Sequence, residues 1–150
     1  MTLLFSLAAY EQVAEAYLAG LEAWAAAGGN LQAVASVASF FISRIDTVVD
    51  KWIETETQKA VVPARKAELQ RLAGRAAIAS AKVAYESFNR IFSSARFSGL
   101  QKQGAQVQRL LWASTGTKNP AYPDTYYVDA LIGNLTVNTM PAATYTAFRE

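Results

Sequence analysis

Apolar positions along the chain follow two rhythms: short continuous runs, and longer stretches in which they recur every three or four residues. The continuous runs are Thr2 to Ser6, Val34 to Ile42 and Leu110 to Ala113, and Thr136 to Thr139 reads as a last brief strand. Unbroken apolar character over a few residues predicts strands buried on both faces, as in a parallel sheet, rather than the alternation of a half-exposed strand. From Tyr10 the second rhythm sets in, with Val13, Ala14, Tyr17, Leu18, Leu21 and Trp24 making one helical face. Gly28, Gly29 and Asn30 then supply left-handed conformations that end this helix. After the second run, Ser43, Arg44 and Asp46 lead into a helix over VVDKWIETET, and Pro63 marks a restart. From Ala67, a stripe of Leu69, Leu72, Ala76, Ala79 and Val83, continued by Phe88 and Ile91, predicts one long core-facing crossover helix to about Ser94, closed by Gly99. Its spacing mimics a coiled-coil seam for only two heptads, too few to argue oligomerisation. Gln101 to Gln106 reads as a polar connection, Asp124 as the cap of a short helix to about Ile132, and Pro141 as the start of a final helix ending at Glu150.

Strand and helix thus alternate through the chain, which predicts an α/β fold with a parallel sheet and right-handed crossovers. The 150 residues read as a single domain, and 52% hydrophobic content supplies a core. A net charge of +2, from 14 basic and 12 acidic residues scattered without long runs, offers no clustered basic face for nucleic acid or an anionic membrane. The absence of cysteine and histidine removes thiolate nucleophiles, disulfides, thiol zinc sites and serine-histidine chemistry, and no metal or other cofactor is expected. Lysine, carboxylates, tyrosine and hydroxyls are the remaining catalytic groups. No apolar run approaches the roughly 20 residues needed to span a bilayer. The start, MTLLFSLAAYEQVAEA, has no basic residue before its apolar part and carries Glu11 and Glu15 where a signal-peptide cleavage region would lie, so a cytoplasmic protein is the expectation.

The most informative stretch runs from Val107 to Asp129, VQRLLWASTGTKNPAYPDTYYVD, where the strand at Leu110 to Ala113 empties into a polar loop. Gly116 allows close backbone approach or positive φ, Pro120 biases Asn119 away from helical geometry, and Ser114, Thr115, Thr117 and Lys118 gather three hydroxyls and an ammonium in five residues. That combination points to a phosphate site.

The segments LLWASTGTKNPAYPDTYYVDALIG and TVNTMP resemble the transaldolases of the longer bacterial and plant type, and so do TLLFS with YEQVAEAYLAGLE and SVASFFISRIDTVVDK. The likeness runs in order from Thr2 to Phe148. It implies a partial (β/α)8 TIM barrel, with four β/α units corresponding to strands five to eight and the C-terminal half of the enzyme. A complete barrel takes about 250 residues, so the start resembles a truncation, an alternative start or a gene fragment. A half-barrel of this kind exposes two sheet edges and an uncovered interior. The expected partners are therefore sugar phosphates together with a complementary N-terminal half-barrel or a second copy.

Transaldolases form a Schiff base between a lysine and a ketose phosphate and pass a dihydroxyacetone unit to an aldose phosphate. By the resemblance, Lys118 is the cationic phosphate contact after the seventh strand, supported by Ser114 and Thr115, and Arg44 is the second phosphate contact after the sixth. Ser39 matches the serine that contacts the sugar, and Thr2 the threonine that orders the catalytic water, while Asn138 and Thr139 end the last strand near the mouth. Lys118 is a poor nucleophile on chemical grounds, because a polar loop keeps an ammonium charged. The family's Schiff-base lysine, its acid-base aspartate and its glutamate have no counterpart here and are expected upstream of Met1. No catalytic residue is therefore assigned in this chain. Asp46, Asp50, Glu54 and Glu56 read as a solvated helix flank.

Overall fold

The computed structural model describes residues 3–150. Three parallel strands lie side by side in chain order: β1 (Val37–Phe41), β2 (Arg109–Ala113) and β3 (Thr136–Thr139). Val37 stands opposite Arg109 and Phe41 opposite Ala113, while Leu110 stands opposite Thr136 and Ala113 opposite Thr139. Parallel neighbours require long crossovers. Between β1 and β2 these are α2 (Ser43–Lys59), α3 (Pro63–Leu72), α4 (Ala76–Phe92) and α5 (Ala95–Gln101); between β2 and β3 there is only α6 (Tyr126–Leu131). Helix α1 (Leu7–Ala26) precedes the sheet and α7 (Ala142–Arg149) comes after it. The fold is α/β with a parallel sheet, consistent with part of a TIM-type barrel.

Where four strands were expected, the ladder among the described residues has three. The run at the N-terminus contributes an isolated parallel bridge, in which the Leu4 amide donates to the Ser39 carbonyl at 3.0 Å and the Phe41 amide donates to the Leu4 carbonyl at 2.8 Å. This bridge lies on the side of β1 away from β2, where a preceding strand of a barrel would pair. Strand β1 begins three residues later than the apolar run, because Leu31–Ala33 form a 3-10 turn capped by the Asn30 side chain, which accepts from the Gln32 amide at 3.0 Å.

The helices cover one face of the sheet. On that face Ala38, Phe40 and Leu110 are fully buried and Trp112 nearly so; Phe40 and Trp112 meet edge to face at 6.3 Å, and the Trp112 indole donates to the Leu131 carbonyl at 2.8 Å. Alternating positions turn the other way. There Val37, Ser39, Phe41, Leu111 and Val137 are only partly buried, and Leu3 and Phe5 on the bridging segment are 59% and 46% exposed. The Phe5 and Phe41 rings lie 4.9 Å apart on this side.

The expected helix from Ala67 to Ser94 is two helices. The chain breaks at Ala73, Gly74 and Arg75, with Gly74 at φ 72°, and the break resets the phase of α4. The buried stripe of α4 is Ala77, Ala81, Ala84 and Phe88, while Val83 is exposed, as is Leu72 at the end of α3. Helix α4 stops at Phe92, so Gly99 falls inside α5 rather than closing the long helix. Three further expectations are corrected. Of Gly28, Gly29 and Asn30 only Gly28 is left-handed, at φ 77°. Trp24 is 52% exposed, its ring lying over Gly29, where a Cβ would fall 2.1 Å from it. Helix α6 is preceded not by an Asp124 cap but by Thr125, whose hydroxyl donates to Asp129 at 2.7 Å.

Candidate functional site

Because all strands run the same way, the residues that come after β1 and β2 emerge together at the C-terminal end of the sheet. Backbone pairing continues past the strands, with the Ile42 amide donating to the Ala113 carbonyl at 3.0 Å and the Ser43 amide to the Ser114 carbonyl at 3.1 Å. The Ser43 and Ser114 hydroxyls are themselves 3.1 Å apart and share a hydrogen bond. Ser114 takes a left-handed conformation at φ 58°, uncommon for a residue with a Cβ and typical of sharp turns at functional loops. The positive φ anticipated at Gly116 belongs to Ser114 instead. Gly116 supplies close approach: a Cβ there would lie 2.9 Å from the Pro141 ring and 3.3 Å from the Thr144 hydroxyl, so the loop seats against the start of α7.

Thr115 is completely buried, and its hydroxyl donates to the Asn138 side-chain oxygen at 2.7 Å. It ties the loop to β3. Ser39 sits at the middle of β1 on the uncovered face, level with Leu111. Arg44, in the first turn of α2, is exposed and leans back with its guanidinium carbon 5.3 Å from the centre of the Phe41 ring, a cation–π contact over the uncovered face. Lys118 is exposed and lines a cleft of about 430 Å³ with Asp46, Thr47, Asp50, Lys51, Glu54, Asn119, Pro120, Tyr122 and Tyr127. Arg44 and Lys118 thus come after neighbouring strands at one end of the sheet but turn toward different surroundings. Thr2 lies outside the described residues.

The cleft overturns the reading of Asp46 and Asp50 as a solvated flank. Spaced one helical turn apart on α2, each accepts a backbone N–H on one oxygen and a tyrosine hydroxyl on the other. Asp46, 1% exposed, takes the Ala77 amide at 2.7 Å and Tyr127 at 2.9 Å; Asp50 takes the Gly74 amide at 2.8 Å and Tyr122 at 2.9 Å. Ala77 lies at the second position of α4, so Asp46 caps that helix from outside, satisfying an orphan amide where negative charge is favoured. Burial raises the Asp46 carboxyl above the usual carboxylate range, opposed by its two donors. Burial, then the bond to Asp50, pushes the Tyr122 phenol up to about 12, and burial together with the bond to Asp46 raises Tyr127 further, so both remain protonated donors. Sequence reasoning missed the pair. The signal it could have used is the coincidence of an Asp-x-x-x-Asp turn with Gly74 and a tyrosine-rich segment, features distant from one another in the chain.

Among the described residues, no group of three or more acidic residues could hold a metal ion, and no helix is long and apolar enough to cross a membrane.

Comparison with known proteins places these features in context. The family model described as Transaldolase/Fructose-6-phosphate aldolase matches residues 1–150. The chain is 51% identical over 147 residues to a transaldolase of Trichodesmium erythraeum, covering 98% of the chain and 39% of that relative. It is 49% identical over 147 residues to a transaldolase of Saccharopolyspora erythraea, covering 98% of the chain and 37% of the relative. A transaldolase of Thermobifida fusca is 49% identical over 151 residues, covering 100% of the chain and 39% of the relative. The chain therefore spans less than two-fifths of the length of these curated relatives, within their C-terminal half.

Proposed function

The chain belongs to the transaldolase/fructose-6-phosphate aldolase family, and on that basis we propose that it forms the phosphate- and sugar-holding side of a transaldolase site in the pentose phosphate pathway. Arg44 and Lys118 hold the phosphate of the sugar, Ser39 meets the sugar chain, Ser114 and Thr115 shape the loop that carries Lys118, and Thr2 orders water. The reaction is transfer of a dihydroxyacetone unit between sugar phosphates such as sedoheptulose 7-phosphate and glyceraldehyde 3-phosphate. The Schiff-base lysine and the acid-base carboxylates come from outside this chain, which is inactive by itself.

The observation that carries this reading is the stitched end of the sheet, where Ser43 and Ser114 bond to each other and Arg44 and Lys118 stand within a few residues of them. Barrel enzymes bind phosphate in the loops beyond the C-terminal ends of their last strands, and charge-assisted bonds to a phosphate are worth about 1.5–3 kcal/mol each. Borohydride reduction in the presence of fructose 6-phosphate tests the division of roles. No covalent adduct is expected on the isolated chain, and an adduct on any of its lysines would overturn it. Calorimetric titration with fructose 6-phosphate is expected to show binding that Lys118→Ala and Arg44→Ala each weaken.

The uncovered sheet face favours a second reading, that of a non-catalytic half-barrel which binds sugar phosphates or serves as a scaffold for a complementary half. Restoration of transaldolase activity on mixing with the N-terminal part of a relative supports the enzymatic reading. Sugar-phosphate binding without any restored activity supports the other.

A further inference from the structure

Lys118 shares its cleft with Asp46, Asp50 and Glu54, yet among the described residues it takes part in no ion pair. Lys118 is exposed, but opposite charges lining one cleft still attract one another, most strongly where a carboxylate is buried as Asp46 is. The hydrogen bonds to the two aspartates weaken that draw. Each oxygen of Asp46 and Asp50 is already occupied by one strong donor, either an amide of the α3–α4 junction or the hydroxyl of Tyr127 or Tyr122. Bonds to an ionised acceptor are the strong class; each takes one of the two lone pairs on its oxygen and draws down the charge that a cation in the cleft would otherwise meet. Among the described residues Glu54 has no such brace, and it is exposed, where a pair with a lysine contributes little.

The tyrosine hydroxyls are held in place. The Tyr122 and Tyr126 rings stack at 5.1 Å, Tyr126 packs edge-on against Tyr127 at 5.2 Å, and the Tyr126 hydroxyl donates to the Gly74 carbonyl at 3.1 Å. Gly74 is what permits the approach, since a Cβ there would lie 2.7 Å from the Tyr122 ring.

We propose that Tyr122 and Tyr127 cap the carboxylates of Asp50 and Asp46 so that Lys118 stays unpaired and available to a phosphate group, free or esterified. The two tyrosines are positioning residues that act through the aspartates. The proposal rests on the reading of Lys118 as a phosphate contact, and the test separates the two.

The full chain is compared as wild type, Tyr122→Phe, Asp50→Asn and the double variant. In the absence of ligand, NMR of lysine-15N-labelled protein tracks the Lys118 ammonium, assigned by its loss in Lys118→Arg, whose proton exchange with water slows when it enters an ion pair. Calorimetry with inorganic phosphate tracks binding. Tyr122→Phe is expected to slow the ammonium exchange and weaken phosphate binding several-fold, and the double variant, in which the uncapped carboxylate is gone, to restore both. A brace that is only structural gives a different pattern, with the single and double variants equally impaired; that outcome overturns the proposal, as does an ammonium unchanged by Tyr122→Phe. The expected NMR pattern with no phosphate binding by any form upholds the capping and overturns the phosphate reading. If Tyr122→Phe fails to fold, Tyr127→Phe with Asp46→Asn runs the same cycle at the second brace.

Discussion

At the scale of single residues, the positions that matter most owe their importance to groups far away in sequence. Gly74 combines a left-handed φ of 72° with a Tyr122 ring lying where its Cβ would be. Gly74→Ala therefore meets both conformational strain and a clash, and is expected to lower the unfolding free energy by about 1–3 kcal/mol in urea titrations. Gly20, which is helical and has open space around it, is expected to accept alanine with a small gain in stability. Asp46 makes a prediction about pH. Its folded carboxyl titrates above its ordinary value because it is buried, so between those two points the folded chain holds a proton that the unfolded chain has released. That contribution is present below the ordinary carboxylate pKa and is lost as pH rises through the raised one. The pH profile of Asp46→Asn should lack this fall just above the ordinary carboxylate range, and the variant should be less stable at higher pH, where the wild type has a charged acceptor for the Ala77 amide and Tyr127 hydroxyl. Little of this was legible beforehand. The hydroxyls and the ammonium of the Ser114–Lys118 loop stand out by type alone, whereas an aspartate on a polar helix face looks solvated until its two donors, some thirty and eighty residues downstream, are brought to it.

At the scale of elements, the apolar rhythms located most strands and helices, because burial on one face imposes a period that packing then uses. The register inside α4 was missed for a specific reason. The three-and-four spacing runs on through Gly74 without a visible fault, while the break turns the next helix so that Ala77, Ala81 and Ala84 face inward in place of Ala76, Ala79 and Val83. These small side chains let α4 approach its neighbours closely. Ala81→Leu is therefore expected to cost about 1–3 kcal/mol by overpacking, and Val83→Leu, at an exposed position, close to nothing. Thermal melts of the two variants discriminate the observed phase from the continuous one. Helices α1 and α5 are clamped by Arg96, which makes paired bonds of 2.6–2.7 Å to both Glu15 and Glu22. Because these groups are solvent-accessible, the loss on Arg96→Met should be largest in dilute buffer and shrink with added salt.

At the scale of the whole molecule, the parallel order of the sheet was readable from alternating strand and helix, and the single bridge at Leu4 was not, because pairing over one residue depends on neighbours rather than on apolar content. A sheet clothed on one side leaves Leu3, Phe5, Phe41, Leu111 and Val137 without full cover, and among the described residues no further strand pairs with the outer edge of β3, while the outer edge of β1 meets only the bridge at Leu4. The chain alone is therefore expected to bind a fluorescent hydrophobic dye and to elute in size-exclusion chromatography ahead of a 16.2 kDa monomer, with Phe5→Lys or Val137→Lys reversing both behaviours. A sharply melting, dye-silent monomer would refute this. The same one-sided cover has a calorimetric consequence. Heat capacity rises on unfolding because apolar surface becomes hydrated, typically by about 12–15 cal/mol/K per residue. A monomer whose sheet is already wetted on one side has less to hydrate, so its increment should fall below that range and its free energy of unfolding should bend only gently with temperature.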